Sequence, residues 1–161
     1  MTDTIRQSAF AELVARYAAY TFPDLGDGAG TWTVKCVKEN PEELQTENLP
    51  AIFLFSSYAP SSMELENVSQ WLVTQPCQVT LRISRYKEPQ VPGKRLIDYL
   101  RTATIKNTSG TVDFTLGGYA MNVIINEGRV VIGSSMEPFI DIELLFDVQI
   151  LEAIGDPTAI V

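Results

Sequence analysis

Histidine does not occur in this chain. With it go the usual general base near neutral pH, the commonest zinc ligand and every Ser-His or Cys-His nucleophilic pairing. Catalysis would have to rest on carboxylates, Lys, Tyr or Cys. Cysteine is nearly as scarce: Cys36 and Cys77 sit in the strand-like contexts TVKCVK and PCQVTLRI, where a thiol serves as a small buried hydrophobe, and no disulfide is expected. No apolar run reaches the length of a membrane span, and the opening MTDTIRQS is polar instead of basic and then apolar. A soluble, cytosolic chain with no membrane contact is expected. Bases are also in short supply, 12 Lys and Arg against 20 Asp and Glu for a net charge of −8, which argues against the whole surface as a nucleic-acid footprint.

What is present is enough apolar material for one core. A chain of 161 residues with 45% hydrophobic content needs neither metal nor disulfide to fold. The organising stretch is FIDIELLFDVQILE, residues 139–152, with Ile140, Ile142, Leu144, Phe146, Val148 and Ile150 on one side and Asp141, Glu143, Asp147 and Gln149 on the other. Period two predicts a half-buried strand of roughly 40 Å. Leu145 and Leu151 interrupt the polar side, so part of that face is expected to meet another layer or another copy of the chain.

Thr4-Ile5-Arg6-Gln7 has capping-box spacing, and Ile5, Ala9, Leu13, Tyr17 and Tyr20, with Phe10 and Val14, follow a helical stripe of about four turns. Pro23 and the Asp24–Gly30 run end it. That run lacks the alternating oxygens and closing Glu of a calcium loop. It also lies between a helix and a strand, the reverse of a dinucleotide loop, and it reads as a plain turn. Strand character follows in Thr31–Val37, then an acidic exposed connection to Asn48 with room for one helical turn at Pro41–Leu44, and then Ala51–Phe55, a strand covered on both faces.

Residues 63–73 are ambiguous between strand and irregular structure. Pro76 is expected to separate them from a two-sided strand over Gln78–Tyr86, in which Val79, Leu81 and Ile83 alternate with Thr80, Arg82 and Ser84. A second helix is predicted from Pro92 or Gly93 to about Ile105, with Leu96, Ile97, Leu100, Ala103 and Thr104 facing the sheet. Asn107–Gly110 closes it. Extended segments are expected at Val112–Leu116 and Tyr119–Ile125, and Asn126-Glu127-Gly128 reads as a tight turn into Arg129–Ile132. The order predicts an α+β fold, a single domain over 1–154 with a mainly antiparallel sheet and two helices on one face, followed by a loosely held tail at 155–161.

Charge is uneven along the chain. Residues 82–106 hold Arg82, Arg85, Lys87, Lys94, Arg95, Arg101 and Lys106 against Glu88 and Asp98, and the flanking regions are acidic. The basic zone could contact phosphates, but it lacks interleaved aromatic residues beyond Tyr86 and Tyr99; complementarity with an acidic neighbour explains it at least as well. Asp141, Glu143 and Asp147 could hold a metal or an acid/base pair, against the plainer reading of an acidic strand face or channel wall. Trp32 and Trp71 read as core or interface anchors.

The first helix, the strand after Leu49-Pro50, the amphipathic strand feeding a second helix, Thr115-Leu116-Gly117-Gly118-Tyr119-Ala120 and the closing FIDIELLFDVQILEA together resemble the tail terminator proteins of long-tailed bacteriophages, over Ile5 to Ala153. The resemblance implies a subunit, free of cofactors and not an enzyme, that closes into a ring, typically hexameric, on the last ring of tail tube protein. There it stops polymerisation and offers a surface to the head completion or connector protein. It implies a place at the head-proximal end of the virion tail, with DNA only a non-specific passenger, after assembly in the host cytoplasm.

A ring of head-to-tail contacts needs two complementary surfaces, and uneven charge supplies them. The expected interface sets Arg82, Arg85, Lys94, Arg95 and Arg101 against Glu42, Glu43, Glu64 and Glu66. Three alternatives stay open: a connector or tube-completion subunit of similar fold, a carboxylate-dependent enzyme or metal-binding module, and a binding domain for a small apolar ligand.

Overall fold

In the computed structural model, the described residues are 3–24, 28, 30–44, 46–56, 60–84, 93–132 and 139–160, with the side chain of Lys94 outside them. Helix α1 (Ile5–Ala19) starts on the predicted capping box: the Thr4 side chain accepts from the Gln7 amide, and the Gln7 side chain accepts from the Thr4 amide. Both bonds satisfy amides that the first helical turn leaves without partners. A third such amide, that of Ile5, donates to the carbonyl of Pro157 at 2.9 Å. The C-terminal segment, expected to be loosely held, is thus tied to the helix start.

The strands are β1 (Cys36–Glu39), β2 (Ala51–Ser56), β3 (Ser62–Asn67), β4 (Gln70–Ser84), β5 (Asn122–Ile132) and β6 (Phe139–Ala153), and helix α2 (Gly93–Ile105) lies between β4 and β5. They form one sheet in the order β1-β2-β4-β6-β5, with β3 paired to β4. Only β1 and β2 run parallel. The fold is α+β with both helices on one face. The ambiguous 63–73 stretch resolves into a hairpin, β3 turning at Val68-Ser69 into β4.

Strand β6 carries the period read from sequence. Ile142, Leu144, Phe146, Val148 and Ile150 are buried with Val79, Leu81 and Ile83 of β4, and α1 and α2 close over them through Ile5, Ala9, Leu13, Tyr17, Leu96 and Leu100. Each such side chain contributes about 1.5–3 kcal/mol by leaving water.

Five local expectations are corrected. Pro76 does not interrupt β4. The carbonyl of Thr74 accepts from Ser61, so Pro76, two residues on, points its nitrogen to the same side. That side is the gap between Ser62↔Thr74 and Ser56↔Cys77 in the ladders, where no N–H is required. Asn126-Glu127-Gly128 is not a turn either: β5 runs through it, with a bulge between Ile125 and Glu127.

Residues 112–119 form turns built on Asp113, which accepts from the amides of Thr115 and Gly117. Of the expected strand at 31–37, only its end enters β1, and Pro41–Leu44 forms no helical turn. Trp32 instead bridges Phe22 and stacks on its ring at 4.3 Å.

Candidate assembly surfaces

The strand face away from the helices holds the predicted acidic row. Asp141 is buried and lies opposite Arg82 in the β4–β6 ladder. The pair is bidentate, Nε to Oδ1 at 2.7 Å and Nη2 to Oδ2 at 2.8 Å. The guanidinium also stands 3.7 Å over the Phe139 ring and donates from Nη1 to the Leu44 carbonyl at 3.2 Å. Arg82 therefore ties Leu44 to the sheet face on which it pairs with Asp141.

Glu143 is bound by Arg129, and Asp147 accepts from the Asn126 amide group at 3.0 Å. The three carboxylates thus each face a different donor. Among the described residues no group of three or more Cys, Asp or Glu side chains is placed to hold a metal. Leu145 and Leu151 are half-buried on the same face.

A second ionic cluster ties the helices together. Arg16, fully buried, receives Glu12 at 3.0 Å and the Asp113 carboxylate at 2.7 Å, and donates to the carbonyls of Thr104 and Asp113. Burial works to raise the Asp113 pKa; hydrogen bonds from the Thr115 hydroxyl and the Gly117 and Thr115 amides, with the Arg16 charge, outweigh it and hold the value at about 2. Beside it, Tyr17 shares a hydrogen bond with Thr104 at 2.9 Å, and burial pushes its phenol up. Cys36 is half-buried and Cys77 buried, neither is in a disulfide, and burial raises the Cys77 pKa. A cleft of about 510 Å³ at the start of α1 is lined by Thr4, Arg6, Gln7, Phe10, Glu39, Ser56 and Gln75. Phe10 is the one apolar residue of that lining, and the cleft presents both polar and apolar surface.

The residues expected at an interface divide accordingly. Arg82 is bound inside its own chain, so its place in the expected interface is not kept. Arg85 and the Lys94 side chain lie outside the described residues. Arg95 and Arg101 are exposed on α2, which packs against β5 and β6. Glu42 and Glu43 are exposed on the bend after β1, and Glu64 and Glu66 on β3.

Among the described residues no ion pair joins Arg95 or Arg101 to these acids; Arg101 reaches only Asp98, at 3.4 Å. The sheet consequently has one flank where the acids of β3 and the bend outnumber Lys38 of β1, and another where Arg95, Arg101 and Arg129 stand with Asp98 and Glu127 on α2 and β5; Arg129 was missed because its pattern is that of any polar strand residue. Exposed apolar side chains also sit on both flanks: Met63, Leu65 and Val68 on one, Val130, Val131 and Ile132 on the other. Among the described residues no helix is long and apolar enough to cross a membrane. No protein-family model and no curated protein matches the chain.

Proposed function

We propose that the chain is a virion assembly protein of the tail terminator type. In this reading its subunits close into a ring at the head-proximal end of a phage tail, cap the tube protein, stop its polymerisation and present a surface to the head connector. The observation that carries it is the placement of charge at opposite flanks of one sheet. Acids on one side and arginines on the other give a surface that is complementary to its neighbour and not to itself. Such a contact is heterologous, and a heterologous contact closes into a ring when the rotation permits. Self-pairing of the acidic flank would set like charges together, which costs free energy and disfavours a two-fold dimer there. The chemistry required is assembly, and no cofactor is invoked.

Mixing the protein with purified tail tubes and free tube subunits tests the reading by electron microscopy. Rings at one end of each tube and arrested elongation are expected. Tubes that lengthen unchanged in an excess of the protein overturn it.

A further inference from the structure

Three strands have one neighbour each among the described residues: β1 pairs only with β2, β3 only with β4, and β5 only with β6. A free edge is normally protected by lysine, proline or a cover. Among the described residues β1 carries Lys38, whereas β3 and β5 carry neither lysine nor proline; each of these two has a bulge, between Leu65 and Asn67 and between Ile125 and Glu127, with apolar residues beside it. β5 exposes Val130, Val131 and Ile132, and β3 exposes Met63 and Leu65.

The backbone directions follow from the ladders. The Met121 amide donates to the Gln149 carbonyl, so Gln149 and every second residue before it in β6 turn their backbone toward β5. Their partners turn inward, which leaves Gly128, Val130 and Ile132 pointing outward. In β3, Thr74 accepts from Ser61, and the same alternation turns Ser62 and Glu64 toward β4 and Met63 and Leu65 outward.

The faces agree as well. Val130 and Ile132 lie opposite Ile142 and Ile140, on the helix side, as Met63 and Leu65 do opposite Val73 and Trp71. Following the ladders across the sheet, β3 runs antiparallel to β5. Rotation of a second copy about an axis along the strands keeps both that sense and the face.

We infer that the free edge of β5 takes β3 of a second copy as an antiparallel strand, Leu65 opposite Val130 and Met63 opposite Ile132. In this register outward N–H and C=O groups meet outward groups, and apolar side chains meet apolar ones on the helix side. On the other face Glu64 lies beside Val131, with Arg129, whose side chain is 57% exposed though bound to Glu143, two residues earlier in β5. Each copy keeps one edge of each kind, so the contact repeats head to tail. The inference rests on the ring-forming reading and supplies its interface.

The test is a disulfide between Glu64→Cys and Val131→Cys in one chain, positions whose Cα atoms would stand about 4.5 Å apart as a non-hydrogen-bonded pair. Oxidation of the concentrated protein, and of tube-bound protein, should give a ladder of cross-linked copies. Glu64→Cys with Val130→Cys, on opposite faces, should not. Val130→Pro removes one outward N–H without touching the β6 ladder, and self-association should fall about tenfold with the circular dichroism spectrum retained.

No cross-link in either sample overturns the inference, as does cross-linking by Val131→Cys alone, which would mean β5 pairing with β5. Capped tubes without the cross-link refute this interface and leave the ring reading standing. Cross-linked copies that never cap tubes support the interface and refute the terminator role.

Discussion

Arg16 Nη2 lies 2.7 Å from Asp113 Oδ2, joining the first helix to a loop 97 residues further along the chain. The Arg16 side chain has no solvent exposure, so the pair is part of the core. The folded-state pKa of Asp113, about 2, lies below its ordinary 3.8. A depressed carboxyl contributes stability that is present above the unfolded value and lost as pH falls through the folded one. Wild-type stability should therefore decline between about pH 4 and pH 2, and Asp113→Asn should flatten that decline. At pH 7 the same substitution should cost about 2–3 kcal/mol, because each carboxylate oxygen accepts two bonds and one of them becomes an amide nitrogen that cannot accept, while Arg16 keeps its other partners. Urea titrations across this range measure both effects.

Gly128 is required by helix packing. A Cβ there would meet Ile97 Cγ2 at 2.5 Å, and that methyl branches directly from Cβ and cannot swing away without moving the helix. Gly128→Ala should destabilise the protein by about 1–3 kcal/mol. Ile97→Ala opens the space, so the double variant should be more stable than the two single costs added together. A double-mutant cycle in urea would show that coupling, and additivity would refute the contact.

The contrast between these sites shows what sequence could carry. Period two in 139–152 and the capping box at Thr4 are local patterns, and both appear as read, because one buried face and one helix start are set by residues near in sequence. Arg16 sits inside the α1 stripe, but its partners Thr104 and Asp113 are 88 and 97 residues away, and no spacing announces them. Pro76 and Asn126-Glu127-Gly128 misled for the opposite reason: their local chemistry is that of breaks and turns, and the neighbouring strands decide otherwise. Of the residues proposed for assembly, Arg95, Arg101, Glu42, Glu43, Glu64 and Glu66 could be named from charge alone, and their exposure needed the structure. The burial of Arg82 against Asp141 required knowing that β4 and β6 pair in that register.

Pro76 offers a test of the strand-gap explanation. Pro76→Ala restores an N–H where no ladder partner stands among the described residues, and the change in stability should stay within about 1 kcal/mol. Gln78→Pro places the ring two residues on, facing the same edge but opposite Phe55 of β2. It removes a ladder donor and should cost about 3 kcal/mol or more. Thermal melts of the two variants should differ widely; equal effects would mean that β4 is not continuous through this point.

Charge on α2 gives the last prediction. Arg95 and Arg101 are exposed and not tied to the acids at Glu42 and Glu43 within the chain, so any pairing between these sets joins two copies. Surface pairs contribute about 0.2–1 kcal/mol each, and reversing a charge turns attraction into repulsion of similar size. Arg95→Glu with Arg101→Glu should weaken self-association about tenfold, and adding Glu42→Lys with Glu43→Lys should restore much of it. Because the Debye length shrinks to about 3 Å at 1 M salt, high salt should narrow the gap between the variants. Light scattering of concentrated protein, with and without tubes, reads the assembled mass. Equal masses for all variants at low salt would mean that the α2 arginines face something other than a neighbouring copy.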